Sequence, residues 1–417
     1  AHARIRSIDT AAAAALPGVR AVVTAQDFPD QPNVIVPTGE MQVNLRDITR
    51  NVMAREKALY EGHAVAAVAA TTEAVARQAL ALIKVDYEVL PHVIDVEAAM
   101  KDDAPVQHEH LITEGVKPAP EKASNIAKRM DNVKGDVEAG FRQAEVVIER
   151  RFATQPVHQG YIEPHATLAS AAEDGQVQIW STTQGHFQVR GFCSRLLNIE
   201  ASQIRVTPSE IGGGFGGKTV VYLEPVAVRL SQKTGKPVKM VMSREEVFRA
   251  SGPAPGGTVR VKIGAKKDGT IVAAECEIAL QAGAFPGSPL GPACWTSFAC
   301  YDIPNIKVVG FDVVSNRAKV AAYRAPGAPI SAWGVESTLD VLAQELGIDP
   351  IELRLKNAAK KGTKTSYGPT FDVIGFVETL EAIKNSAHYK SKPKPGYARG
   401  VAAGFWFNVG ADSSAAA

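Results

Sequence analysis

The sequence predicts an α+β protein in which a small N-terminal α/β unit precedes a larger unit built on a mixed sheet. Three observations carry this. Apolar stretches of strand period alternate with a helix-period stretch over the first hundred residues; a polar tract follows from Lys101 to Lys134; beyond Val147 strand-period segments dominate until two helical segments appear after Pro329. With 417 residues the chain is long enough for two or more domains with buried cores. Its 45% apolar and 22% charged residues are globular values, and no apolar run is long enough to span a membrane. The 46 Lys and Arg against 44 Asp and Glu leave +2, too little to gather nucleic acid or an anionic bilayer by bulk charge.

In the small unit, residues 11–15 (five alanines) read as a helical turn, 21–24, 62–70 and 83–87 as strands, and 72–82 as a helix. The tract 101–134, rich in Asp, His, Lys and Pro, reads as a surface linker. This divides the chain into a domain over 1–100, the linker over 101–134 and a domain over 135–395. In the larger unit VVIERRF, QVQIWST, QIRVTPS and VKMVM read as strands, and TVRVKIGAKKDGTIVAAECEIAL as a hairpin turning at Lys267-Asp268-Gly269-Thr270. A helix is predicted over 222–232 and another over 329–346, stopping at Gly347. The next opens at Asp349, with Pro350 in the first turn and Glu352 placed to complete a capping box. Residues 400–410 (GVAAGFWFNVG) read as a strand just entered, so 396–417 is expected to begin a further region left incomplete. The strand-like opening AHARIRSID lacks an initiator Met, and the sequence reads as a segment or subunit of a larger unit.

Cys193, Cys276, Cys294 and Cys300 have no CxxC or His-paired spacing, and read as reduced core thiols of a cytoplasmic protein with no protein-held metal. The most conspicuous segment is Ile211-Gly212-Gly213-Gly214-Phe215-Gly216-Gly217-Lys218-Thr219, between the strand at 204–207 and the helix at 222–232. Five glycines in six positions mark backbone that approaches something closely or adopts positive φ. Gly212, Gly217, Lys218 and Thr219 also fit the phosphate-loop pattern GxxxxGK[ST], which makes a nucleotide triphosphatase the first alternative; a purely structural turn is the second. Against the phosphate loop, the surrounding sheet reads as antiparallel hairpins, not alternating βα units. Ala321-Ala322-Tyr323-Arg324-Ala325-Pro326-Gly327-Ala328-Pro329 combines small residues and one arginine at a helix start, which suits an anion or, equally, a proline-defined turn with a solvated arginine. Ser181-Thr182-Thr183-Gln184 ends a strand, where Gln184 is either a neutral donor in a pocket or a surface glutamine.

Together, an STxQ strand end, a GGGFGGK loop and an AYRAPGAP loop, in this order, resemble the molybdopterin-binding subunit of the xanthine dehydrogenase and aldehyde oxidase family. AHARIRSIDTAAAAALPGVRAVVTAQDFP and EKALYEGHAVAAVAATT are similar to its first domain, Tyr161-Ile162-Glu163-Pro164-His165 to its MEP-type turn, and GIDPIELRLKN to the end of its first molybdenum-binding region. The resemblance implies a small α/β-hammerhead-like domain followed by a mixed-sheet molybdopterin-binding domain. It implies an oxidoreductase that hydroxylates an aldehyde, an N-heterocycle or an aromatic thioester with oxygen from water. The cofactor is then molybdenum held by a pterin dithiolene, in its cytosine dinucleotide form, with electrons passed to [2Fe-2S] and FAD groups on an iron–sulfur subunit and an FAD subunit.

Residue by residue, the resemblance gives catalytic roles to Gln184 and Arg324, Gln184 as a hydrogen-bond donor to the molybdenum centre or its pterin. It gives cofactor contacts to Gln184, Gly214, Phe215, Gly216, Ala322, Tyr323, Arg324 and Ala325, with the Gly216 amide reaching the metal centre. Phe215, Thr219 and Pro326 are assigned to the substrate pocket, and Lys218 becomes a packing residue. Purine-oxidising members carry an acid where this chain has Thr219 and an aromatic ring where it has Pro326, which argues against xanthine; Phe285, Trp295 and Phe298 are alternative pocket rings. The Cys-Ser-Phe signature of carbon monoxide dehydrogenases is absent after Arg324. The GxGE glutamate that serves the family as general base is also absent from the sequence, so a C-terminal half or second molybdopterin subunit is expected to supply it. A family relative that has lost catalysis is the remaining alternative.

Overall fold

The computed structural model describes residues 2–38 and 41–407. Its largest layer is a five-stranded sheet in the order Ile126–Lys134, Ile306–Val314, Ile271–Gly283, Gly257–Ala265, Val146–Thr154. Neighbours are antiparallel except Ile271–Gly283 and Ile306–Val314. Alternation puts Val259, Val261 and Ile263 on one face, where they pack with Val335, Leu339 and Leu342 of helix Ala328–Leu346. Each such aliphatic side chain contributes roughly 1.5–3 kcal/mol on burial. Gly334 lets the helix close on the sheet, since a Cβ there would lie 2.7 Å from a Val259 methyl.

The second layer is a four-stranded sheet in the order Ile204–Pro208, Val177–Ser181, Ala166–Ala171, Val238–Val241. Helix His186–Leu197 crosses from Val177–Ser181 to Ile204–Pro208, which therefore pair in parallel. Its buried residues Val189, Phe192, Cys193, Leu196 and Leu197 follow helical spacing and join a core with helix Glu224–Thr234. Val23, Ala67 and Ala69 of the N-terminal strands Val19–Thr24 and Ala66–Ala70 enter the same core. A separate sheet orders Lys57–Ala58, Ala3–Asp9 and Lys84–Val89. Helices Ala11–Ala15 and Glu73–Leu82 form as expected, the latter capped by the Thr72 side chain.

Several expectations need correction. The glycine loop does not sit among hairpins only, because the parallel pair before it is a β-helix-β unit. The tract 101–134 is not all linker: 126–134 forms an edge strand whose half-exposed side chains need few apolar residues, which hides it from hydrophobic patterning. Residues 401–407 adopt no regular strand, and 408–417 lie outside the described residues. Asp349 caps its helix through Ile351 and Glu352, but the Glu352 carboxylate pairs with Lys384, so no capping box forms. All four cysteines are buried free thiols, and burial raises each thiol pKa. No helix among the described residues is long and apolar enough to cross a membrane.

Candidate functional site

Gln184 lies just beyond the strand Val177–Ser181, beside the glycine loop that follows Ile204–Pro208. Its Oε1 accepts the Gly216 amide at 2.8 Å and the Lys218 amide at 3.2 Å. Two N–H groups converging on one atom fix the carboxamide orientation and turn Nε2 away from the loop, and among the described residues Nε2 donates to nothing. The close approach needs glycine: a Cβ on Gly214 would lie 2.4 Å from Gln184 Oε1. The loop bends through positive φ at Gly213, Phe215 and Gly216, and leaves the Phe215 ring 55% exposed.

Lys218 does not point into the loop. Its side chain is fully buried, with Nζ 2.7 Å from Glu163 Oε2, 3.3 Å from the Pro164 carbonyl and 5.0 Å above the Tyr161 ring. Glu163 Oε2 also accepts the Gly212 amide at 2.9 Å. No helix opens at Thr219; the next begins at Glu224, and the Thr219 hydroxyl donates to the Gly216 carbonyl at 2.8 Å. A phosphate loop needs a free lysine and a helix N-terminus at that point, so that reading fails. Behind the lysine, the Tyr161 hydroxyl meets His165 Nε2 at 2.7 Å and Ser251 Oγ at 3.1 Å. Burial, reinforced by the Lys218 charge, lowers the His165 pKa to about 3 and keeps the ring neutral.

The arginine loop packs against the glycine loop. The Arg324 amide donates to the Phe215 carbonyl at 3.1 Å, and Gln159 Nε2 donates to the Ala322 carbonyl at 2.8 Å. A Cβ on Gly216 would come within 2.7 Å of that same carbonyl oxygen. Arg324 and Ala325 both hold positive φ, and Gly327 completes the turn into helix Ala328–Leu346. The guanidinium is exposed and makes no ion pair among the described residues. Tyr323 and Pro326 are half-buried, and Ala325 borders a cavity of about 390 Å³ whose other walls include Tyr301, Phe405 and Trp406. Thus the structure brings Gln184, Gly214, Phe215, Gly216, Ala322 and Arg324 into one place.

With this geometry in view, comparison with known proteins is direct. Residues 118–358 match the molybdopterin cofactor-binding domain, and residues 1–91 match the a/b hammerhead domain of aldehyde oxidase and xanthine dehydrogenase. The chain belongs to the xanthine dehydrogenase and aldehyde oxidase family. It is 31% identical to the nicotinate dehydrogenase large molybdopterin subunit of Eubacterium barkeri, over 93% of this chain and 87% of that protein. It is 30% identical to the xanthine dehydrogenase molybdenum-binding subunit of Escherichia coli, over 91% of this chain and 50% of the relative. Among solved structures, the aldehyde oxidoreductase of Desulfovibrio gigas superposes with a TM-score of 0.79 at 30% identity, covering 92% of this chain and 41% of that one. The chain therefore spans nearly all of one relative and half or less of the others named here.

Within this family frame the residues fit a molybdenum–pterin group. The loop glycines let the backbone close onto Glu163, Gln184 and the Ala322 carbonyl without side chains in the way, and among the described residues the Gln184 Nε2 donor and the exposed Arg324 guanidinium are left without protein partners for such a group. Among the described residues no cluster of His, Cys, Asp or Glu could hold a metal ion directly. The Gly216 amide, expected to reach the metal centre, donates here to Gln184 Oε1 at 2.8 Å. Of the alternative rings, Phe285 packs by His63 and His108, Phe298 is in the main core, and Trp295 packs against Tyr367 and Phe407. Sequence reasoning missed Gln159 and gave Glu163 no role of its own. Both stand in the sequence around the Tyr161 turn, but the signal is a single polar side chain each, legible only when the turn is placed under the loop.

Proposed function

We propose that this chain forms the N-terminal part of a molybdenum hydroxylase site that oxidises an aldehyde, an N-heterocycle or an aromatic thioester with oxygen from water. When bound, the molybdenum–pterin group supplies the two-electron oxidation and the oxygen transfer. The observation that carries the reading is the Gln184 carboxamide: with Oε1 engaged by two loop amides, its Nε2 donor is the group left without a partner among the described residues. Such a group binds acceptor oxygens and rejects other donors. Arg324 adds a permanent positive charge that no carboxylate among the described residues neutralises, and its backbone amide ties this loop to the Phe215 carbonyl. Phe215, exposed on the loop, is the apolar wall offered to substrate, and Thr219 and Pro326 are assigned to the same pocket.

The relatives are named for nicotinate, xanthine and aldehyde. Thr219 supports a non-purine choice among these, since its neutral hydroxyl is tied to the Gly216 carbonyl. A C-terminal half or second molybdopterin subunit is proposed to supply the general base; the near full-length match to a protein named a large molybdopterin subunit supports the two-chain form. The cytosine dinucleotide form of the pterin, [2Fe-2S] and FAD partner subunits, a cytoplasmic location, and a division into a first domain over 1–100 and a second that takes in the strand Ile126–Lys134 and runs to 395 belong to the same proposal. Elemental analysis of the native complex tests it. Near-stoichiometric molybdenum with accompanying iron is expected, followed by turnover in a screen of aldehydes, N-heterocycles and aromatic thioesters; an intact complex without molybdenum refutes the reading.

A further inference from the structure

We propose that Glu163 and Lys218 are positioning residues, an ion pair of a half-buried carboxylate and a fully buried ammonium that closes the glycine loop at both ends and so fixes the Gln184 carboxamide. One carboxylate oxygen of Glu163 receives the Gly212 amide at the loop's entry, 2.9 Å away, and the Lys218 ammonium at its exit, 2.7 Å away. The Glu163 amide donates in return to the Gly212 carbonyl at 3.2 Å. Lys218 then holds Gln184 through its backbone: its carbonyl accepts the Gln184 amide at 3.0 Å and the Thr183 hydroxyl at 3.2 Å, and its amide donates to Gln184 Oε1 at 3.2 Å. The ammonium has no solvent exposure, so its place is set by the Glu163 carboxylate, the Pro164 carbonyl and the Tyr161 face. Moving Glu163 therefore moves the peptide on which Gln184 hangs. The importance of Gln184 rests on the proposed function, whereas the linkage of Glu163 to the loop is independent of it.

Hydrogen–deuterium exchange on the purified native complex tests the linkage, using Glu163→Asp and the charge-neutral double variant E163Q/K218M. Aspartate keeps the charge but withdraws the carboxylate by one methylene, so it cannot reach both ends of the loop. Exchange of the Gly212, Gly216 and Lys218 amides is expected to rise about tenfold or more in both variants, with helix Glu224–Thr234 unchanged. In the same samples reduced with dithionite, the Mo(V) electron paramagnetic resonance signal is expected to shift while the melting temperature of Glu163→Asp stays near that of the parent. Unchanged loop exchange, or acceleration spread evenly over the chain, overturns the proposal. Should the parent complex contain no molybdenum, the spectroscopic comparison falls with the proposed function, and the exchange measurement alone still decides the clamp.

Discussion

Replacing Gly214 by alanine tests the site geometry most sharply. The new Cβ would stand 2.4 Å from Gln184 Oε1, about an ångström inside ordinary contact, and the atom it meets belongs to a flexible side chain. Gln184 therefore swings away, and the Gly216 and Lys218 amides lose their common acceptor. At about 1 kcal/mol net for each hydrogen bond, Gly214→Ala is expected to cost roughly 2 kcal/mol. Once Gln184 is already alanine there is nothing to displace, and the same substitution should then cost under about 0.5 kcal/mol. Urea denaturation of Gly214→Ala, Gln184→Ala and the double variant, followed by circular dichroism, gives the coupling directly. Turnover should follow the same pattern, with the double variant no slower than the slower single one. Additive free energies would show that the glycine and the glutamine do not share the contact, and the reading of Gln184 as a loop-anchored donor would be refuted.

Four further outcomes are expected. Arg324→Ala should lower turnover about a hundredfold with a stability change within roughly 0.5 kcal/mol, because the guanidinium is exposed and makes no ion pair among the described residues; normal turnover removes it from the site. Arg354→Met should cost about 3–5 kcal/mol in thermal melts, since it strands the Glu336 carboxylate that now accepts Arg354 at 2.9 Å, the Tyr301 hydroxyl at 2.6 Å and the Ala403 amide at 2.8 Å; an unshifted melt contradicts this. Burial lowers the pKa of His63 and His108 to about 4 and that of His165 to about 3, from the usual 6.5. These rings stay neutral in the fold and take up protons on unfolding, so their stabilisation is complete above pH 6.5 and declines on acidification toward the folded values. The slope reaches about 1.4 kcal/mol per pH unit for each ring, and urea midpoints between pH 7 and pH 5 should reveal it, with His165→Gln flattening the curve. Equilibrium dialysis with magnesium and ATP should find no saturable site, because Lys218 is held by Glu163; saturable binding abolished by Lys218→Ala would restore the phosphate-loop reading.

Much of the fold is written in side-chain period, and the strands and helices with a clean apolar face were legible in this way. Helix His186–Leu197 carries the same signal, with Val189, Phe192, Cys193, Leu196 and Leu197 inward, yet Gly191 and an uncapped start at Gly185 weaken it. The edge strand 126–134 lacked any such face, since an edge residue can be polar and still pair. In the site, Gln184, the glycine loop and Arg324 were legible because glycine density and motif order are properties of the chain itself. Which atom of Gln184 meets the loop, and which carboxylate takes Lys218, depend on distances between segments far apart in sequence, and no spacing rule encodes them.

The core shared by Val23, Ala67, Ala69 and the helices His186–Leu197 and Glu224–Thr234 makes the N-terminal strands part of the wall on which the glycine loop is mounted. Helix His186–Leu197 begins two residues after Gln184, and Glu224–Thr234 begins five after Thr219. A methyl group added or removed at Ala67 is thus felt by both supports of the loop, because close-packed interiors transmit volume changes instead of absorbing them. Exchanging this N-terminal unit for that of a relative would graft a foreign surface beneath the two helices that flank the glycine loop. Chimeras joined in the polar tract are accordingly expected to fold only when the facing residues of both helices travel with the strands.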